Sequence, residues 1–264
     1  MNISALMPVN SWNTHFKHPS FKTNDRSYNQ WNTDTMRCTT RIFREDLDWK
    51  KFSDFLIKNY KDNDKVNIVM FAASDGSEAY SVIMSLLERS LDKKQTIQKF
   101  FPIKAYDIDE EILRAANSGY INTRSFDRMD LQMNCDNYYN YFSNTDNQLV
   151  INNDTSSFNR NGCSDIKTLK AKRLLTDNVR FNQGDMFTKL REFEDNSDTV
   201  LMCRNSLGYF ENDKIENFVK LASQKLKSGS VFVIGNHDSV LFNMDECLKK
   251  YGFEKVMQNV YKKA

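Results

Sequence analysis

Residues Val66–Leu87 read VNIVMFAASDGSEAYSVIMSLL. The apolar run Val66, Ile68, Val69, Met70, Phe71 and Ala72 stops at a small polar turn, Ser74-Asp75-Gly76-Ser77. A helical pattern from Glu78 to Glu88 follows at once. Strand, tight turn and helix in that order form the opening unit of a nucleotide-binding α/β sheet. Such a unit predicts a second strand that closes on an acid, and Pro102–Asp107 (PIKAYD) supplies it.

Working outward, Asp109–Asn117 reads as a short helix with Asp109 as its N-cap, stopped at Gly119. Asn178–Asn182 and Asp198–Cys203 read as the third and fourth strands, and Asn212–Lys227 as an amphipathic helix. Ser230–Gly235 reads as a buried strand and Asp245–Tyr251 as a last helix. Phe253–Val256 and Asn259–Lys262 read as a closing pair of strands. Strands alternating with helices predict a mainly parallel sheet covered on both faces, with right-handed crossovers. Three zones follow from composition. Residues 1–35 form a polar, partly disordered leader, with Trp12, Phe16, Phe21, Tyr28 and Trp31 as its apolar anchors. Residues 36–65 form a helical extension over the ligand site, with an amphipathic helix at Asp46–Asn59. Residues 66–264 form the sheet domain. Its stretch from about 120 to 170 has no clear period and reads as a loop or helical insertion on the ligand side.

The bulk composition excludes several classes. A net charge of +2 over 264 residues gives no strong pull toward nucleic acid or anionic membrane. No apolar run is long enough to cross a bilayer, and the N-terminus lacks the basic start and apolar core of a secretion signal. Five scattered cysteines predict reduced thiols in a cytoplasmic protein rather than a disulfide frame. His15 and His18 have no partner cluster, so no metal site is expected.

Ligands bind such sheets at the carboxyl ends of the strands, near the reversal of strand order. That edge carries Ala73–Ser77, Asp107, Gly184-Asp185 and Arg204-Asn205. The first turn has one glycine, Gly76, and an acid where a diphosphate would sit, which argues against a dinucleotide. S-adenosylmethionine carries no phosphate and brings an ammonium and a sulfonium, which carboxylates suit. Asp107 is placed to take two ribose hydroxyls, and Asp185 to accept from an adenine amino group.

Five segments then resemble, in order, the CheR-type methyltransferases, which methyl-esterify glutamates on bacterial chemotaxis receptors. They are TRIFR (Thr40–Arg44), AASDGSEAYS (Ala72–Ser81), AYDIDEEILRAANSGYI (Ala105–Ile121), MCRNSLGYF (Met202–Phe210) and LKSGSVFVIGNHDS (Leu226–Ser239). The resemblance implies a Rossmann-like class I methyltransferase fold with a seven-stranded sheet, and S-adenosylmethionine as cofactor. It implies that Thr40 and Arg44 line the cofactor from outside the sheet. Glu78 would hold the methionine ammonium and Asp107 the ribose, while Asp185 and the Met186 backbone flank adenine. Ala72, Ala73, Ser74, Gly76, Ile108, Cys203 and Asn205 complete the cofactor-binding set, and Arg44, Arg204 and Tyr209 are the catalytic set. The acceptor it implies is a carboxylate on a protein or a small molecule. Departures from the family pattern are Ser77 and Ala79, where the family has Glu and Pro, and the Asn236-His237-Asp238 variant of its Gly-His-Ser-Glu run.

Each residue also has a purely structural role open to it. Asp107 competes with Asp109 as a helix cap, Glu78 complements a helix dipole, and Arg44 pairs with Glu45 or Asp46. Asp185 forms an Asx turn, Cys203 fills the core, and Tyr209 packs under a loop. The sequence therefore leaves three classes open: a carboxylate methyltransferase, a methyltransferase on another acceptor, and a catalytically silent module.

Overall fold

The strand β1 (Asn67–Phe71) has four buried residues out of five, so both of its faces are covered. Its side chains divide between two core layers, as the two-residue period of a strand requires. Ile68 and Met70 pack with Phe52 and Leu56 of α1 (Trp49–Asn59), Val82, Ile83 and Leu86 of α2 (Ser77–Arg89), and Phe100 of α3 (Lys93–Phe100). Val69 and Phe71 pack on the other face with Met186 and Leu190, and with Ile215, Phe218 and Val219. This is the two-sided burial expected of a parallel sheet. The computed structural model describes residues 40–123, 125–145, 167–193, 197–241 and 243–264, all within one compact unit, Thr39–Ala264. The expected polar leader, Cys38, Cys163, and residues 146–166 of the insertion lie outside the described residues.

The remaining strands of the main sheet are β2 (Ile103–Asp107), β6 (Val179–Gln183), β7 (Thr199–Cys203), β8 (Val231–Ile234), β9 (Phe253–Met257) and β10 (Val260–Lys263). The seven strands stand in the order β6-β2-β1-β7-β8-β10-β9. β6 through β8 run parallel, and β10 is antiparallel to both β8 and β9. The chain moves from β1 outward through β2 to β6 and then crosses back to β7, so order reverses between β1 and β7. This is the order of a Rossmann-like class I methyltransferase, with the C-terminal hairpin inserted at one edge. Helices α7 (Met186–Arg191), α8 (Asn212–Lys225), α9 (Asn236–Leu241) and α10 (Met244–Lys250) follow β6, β7 and β8.

The segment after α4 (Glu110–Ser118) differs from the expected loop or helical insertion. It contains a second, antiparallel sheet of order β3-β5-β4, built from β3 (Tyr120–Thr123), β4 (Phe142–Asn144) and β5 (Lys167–Ala171). Among the described residues there, α5 (Ser125–Asn134), a 3-10 turn at Tyr138–Asn140, and the short α6 (Arg173–Thr176) are helical. Ile121, Phe142 and Leu169 bury one face of this small sheet against the same core as α2. Burying apolar area in a shared core is what holds such short strands in place. Helix α3 was also absent from the sequence reading. It buries Thr96 and Lys99, and the Lys99 ammonium donates to the carbonyls of Tyr60 and Lys61 at 2.8 and 2.9 Å.

The turn after β1 tests this packing directly. Gly76 starts α2 at φ 86°, and a Cβ there would lie 2.6 Å from Cζ of Phe181. Gly252, at φ 81°, has nothing within 4 Å of its Cβ position. Gly76→Ala should therefore cost about 2 kcal/mol or more in urea unfolding, against about 1 kcal/mol for Gly252→Ala. Equal losses would show that the Phe181 contact carries no weight.

Candidate active site

Parallel register brings the functional residues to one rim. Phe71 lies opposite Tyr106 on β2 and Cys203 on β7, and Cys203 lies opposite Ile234 on β8. The next residues along each strand, Ala72, Asp107, Arg204 and Gly235, therefore emerge side by side at the carboxyl edge, where strand order reverses. Asp107 turns its carboxylate toward the first turn. Its Oδ2 accepts from the Ser74 N–H at 2.8 Å and its Oδ1 from the Asp109 N–H at 3.0 Å. Burial pushes this carboxyl above its usual range, against the pull of those backbone donors. Asp109, not Asp107, caps α4.

Arg204 stands at the centre of the rim with a fully buried side chain. Its Nη1 donates to Glu78 Oε2 at 2.8 Å, and its Nη2 bonds to Asp46 Oδ1. The Trp49 ring lies beneath it, 5.0 Å from Cζ to the ring centroid. Its Nε–H is buried and has no acceptor among the described residues. Glu78, in the first turn of α2, keeps 14% of its side chain exposed. Burial pushes its carboxyl upward and Arg204 opposes that shift.

Asp46 ties the preceding segment to this rim. Its Oδ2 accepts from Asn205 Nδ2 at 2.8 Å and from the Asn236 N–H at 3.2 Å. Its carbonyl accepts from Asn259 Nδ2 at 2.8 Å. Ser81 and Ser85 of α2 complete the attachment, by accepting from the Phe43 N–H and donating to the Trp49 carbonyl, both at 2.8 Å. Arg44 is thereby carried to the site's mouth, with 27% of its side chain exposed and its Nε 3.9 Å from Asp46 Oδ2. A second buried acid, Asp238, holds the loop after β7. It accepts from the N–H groups of Asn205, Gly235 and Gly208 at 2.6, 2.8 and 3.1 Å. A Cβ at Gly235 would overlap the Asn205 carboxamide, so the close packing here requires glycine.

The structure thus joins Glu78, Arg204, Asn205 and Arg44 in one cluster, and Asp107 with Ser74 in the neighbouring one. Asp185 caps α7, its Oδ1 accepting from the Thr188 N–H at 2.8 Å and from the hydroxyl at 3.0 Å. The Asp107 carbonyl accepts from Gly184, which brings this cap to the same edge. Ala73 and Cys203 point into the core, and Met186 packs there as well. Burial raises the Cys203 thiol well above its usual range, so it is no nucleophile at neutral pH. Ile108 and Thr40 are half-buried. Tyr209 is 47% exposed, its ring 5.2 Å from that of His237. The sequence reading missed Asp46, Trp49, Asp238, Asn236 and Asn259 as parts of the site. Among them only Asn236 and Asp238 carried a signal, inside the quoted NHDS segment.

Residues 38–257 match the family described as CheR methyltransferase, SAM binding domain. The chain belongs to that family. Chemotaxis protein methyltransferase 2 of Vibrio cholerae is 24% identical over 204 residues, which are 75% of this chain and 62% of that protein. The chain therefore spans less than two thirds of that CheR relative. Two solved structures are more distant. One is an S-adenosylmethionine-dependent methyltransferase from Clostridium acetobutylicum, 18% identical, covering 72% of this chain and 51% of its own, with a TM-score of 0.32. The other is an O-methyltransferase family protein from Burkholderia thailandensis, 12% identical, covering 82% and 59%, with a TM-score of 0.38. The fold itself rests on the strand order. Among the described residues, no helix of this CheR-family chain is long and apolar enough to cross a membrane, and no cluster of His, Cys, Asp or Glu is arranged to hold a metal ion.

Two predictions follow from the buried acids. Asp238→Ala would strand three backbone N–H groups and should cost about 3 kcal/mol or more in urea unfolding, with little loss if water replaces the carboxylate. Asp75 accepts from the Ser77 N–H at 2.9 Å, and desolvation pushes its carboxyl up to about 6. The folded chain thus holds this proton more tightly than the unfolded chain does. The resulting stabilisation is full below the ordinary carboxyl value of 3.8 and is lost as pH rises through about 6. The stability difference between the native chain and Asp75→Asn should therefore fall across that window and level off above it. A rise across the window would refute the assignment.

Proposed function

We propose that this chain transfers a methyl group from S-adenosylmethionine to a carboxylate, in first place the side chain of a protein glutamate, within the cytoplasm. The observation that carries the reading is the Nε–H of the buried Arg204, which has no acceptor among the described residues, on a guanidinium bonded to Glu78 at the carboxyl edge, where strand order reverses between β1 and β7. A buried donor without an acceptor costs about 1–3 kcal/mol, and a carboxylate entering the crevice removes that cost. The rim fits the cofactor on chemical grounds. It offers two carboxylates, Glu78 and Asp107, and no glycine-rich cradle for phosphate. The cofactor, when bound, supplies a methyl group activated on a positively charged sulfur.

The chain's own residues bind, orient and desolvate. Glu78 accepts from the methionine ammonium. Asp107 accepts from the ribose hydroxyls, since each of its oxygens retains a lone pair beyond its backbone partner. Asp185, Ile108 and the Met186 backbone flank the adenine, and Thr40 closes the site from outside the sheet. Arg44 and Arg204 hold the acceptor carboxylate through one oxygen and leave the other to attack. Tyr209, at the open rim, orients the acceptor through its hydroxyl. The nucleophile is ionised at neutral pH, so the site needs no strong base; alignment and exclusion of water supply the rate.

The test combines binding with product chemistry. The native chain should bind S-adenosylhomocysteine in isothermal titration, and Asp107→Ala should weaken that binding by about 1–3 kcal/mol. With labelled S-adenosylmethionine and a bacterial lysate, the label should pass to protein and be released by base as methanol, as only an ester allows. Label that resists base points to a different acceptor. Binding without transfer points to a silent module, and no binding at millimolar ligand overturns the reading.

A further inference from the structure

Arg204 has one positive charge and two carboxylate partners, Glu78 on Nη1 and Asp46 on Nη2. Were Glu78 its sole partner, the pair would be neutral and would attract an ammonium only weakly. With Asp46 present the three groups sum to one net negative charge. Asp46 is not free to swing away and release Arg204 to Glu78. Its second oxygen is held by Asn205 and Asn236, and its carbonyl by Asn259, so neutral donors from three separate segments fix it. Trp49 beneath the guanidinium limits where Arg204 can move in turn. Arg44 is the next cation, but it lies 3.9 Å from Asp46 with a quarter of its side chain in water, where its charge is better screened. Whatever Arg44 contributes, loss of the Asp46 charge makes the surroundings of Glu78 one unit more positive. Interactions of this kind strengthen where water is excluded, and Asp46 and Arg204 are both buried.

We propose that Asp46 is a positioning residue that sets the charge of the ammonium subsite: by sharing Arg204, it leaves Glu78 a net negative acceptor for an amino-acid ammonium group. The inference rests on the methyltransferase reading above and assigns Asp46 a role in ligand discrimination within that site. It separates two ligands that share an adenosine and a thioether. S-adenosylhomocysteine carries the amino-acid end, and 5′-methylthioadenosine lacks it.

The experiment measures both affinities by isothermal titration for the native chain and for Asp46→Asn, with melting curves to confirm folding. Asp46→Asn should bind S-adenosylhomocysteine about tenfold more weakly and 5′-methylthioadenosine about as well as the native chain. A parallel fall in both affinities, or no change in either, overturns the proposal, since a residue that merely braces the fold would not distinguish them. Asp46→Ser removes the same charge with a smaller side chain and makes the same prediction, so it replaces Asp46→Asn if that variant does not fold. A native chain that binds neither ligand fails at the methyltransferase reading itself. A native chain that binds both, with the ratio unchanged in the variant, fails only at Asp46.

Discussion

The arrangement at the carboxyl edge depends on one buried cation held by two acids. A guanidinium taken out of water is costly unless its donors are met, and removing one partner of such a cluster typically costs 3–5 kcal/mol. Arg204 meets that demand at its two Nη atoms, with a partner from α2 and another from the segment before α1, two elements distant in sequence. The ion cluster is therefore also a long-range tie. It draws residues 40–48 to the carboxyl edge, and with them the partly exposed Arg44. Were Arg204 an apolar residue of the same volume, the sheet could still pack, but the segment would lose its ion pair and keep only hydrogen bonds to Asn205, Asn236, Asn259 and α2.

The two other acids of the rim work through backbone donors. Asp238 collects N–H groups from the loop after β7 and from the end of β8, while Asp107 joins the first turn to the start of α4. Each acid bridges two strand ends that lie side by side in the sheet. Their shared logic is that strand ends leave N–H groups pointing outward at the carboxyl edge, and a carboxylate can gather several of them at once. A site built this way is stiff before any ligand arrives.

The main sheet was legible because its central strands are buried on both faces and so appear as unbroken apolar runs, as in VNIVMF and DTVLMC. The small antiparallel sheet was not. Its strands are three to five residues long, mix buried with partly or fully exposed positions, and pair across wide separations, as with Ile121 and Leu169. Helix α3 was hidden because a lysine and a threonine take buried positions, satisfied by the carbonyls of Tyr60 and Lys61 and by the Ser90 hydroxyl. At the site, residues emerging directly from strand ends could be read from the sequence. Asp46 could not, because it sits in the run Glu45-Asp46-Leu47-Asp48, where both flanking acids are exposed. Only the position of Arg204, set by the fold, decides which of those acids turns inward.

Among the described residues, the non-glycine positions with positive φ are Phe43, Ala72, Ser74, Asn205 and Asn259. All five belong to the segments that form the rim or hold Asp46. Each such residue costs about 1–3 kcal/mol and persists only where its surroundings over-determine it. Ser81 receives the Phe43 N–H, Asp107 the Ser74 N–H, Asp238 the Asn205 N–H, and the Asp46 carbonyl the Asn259 side-chain amide. The polar groups that hold the strained positions are thus the same groups that shape the crevice. Glycine or asparagine at Phe43, Ala72 and Ser74 would adopt the same positive φ at less cost. The concentration of strained positions at one rim lies beside a buried guanidinium whose Nε–H has no acceptor among the described residues.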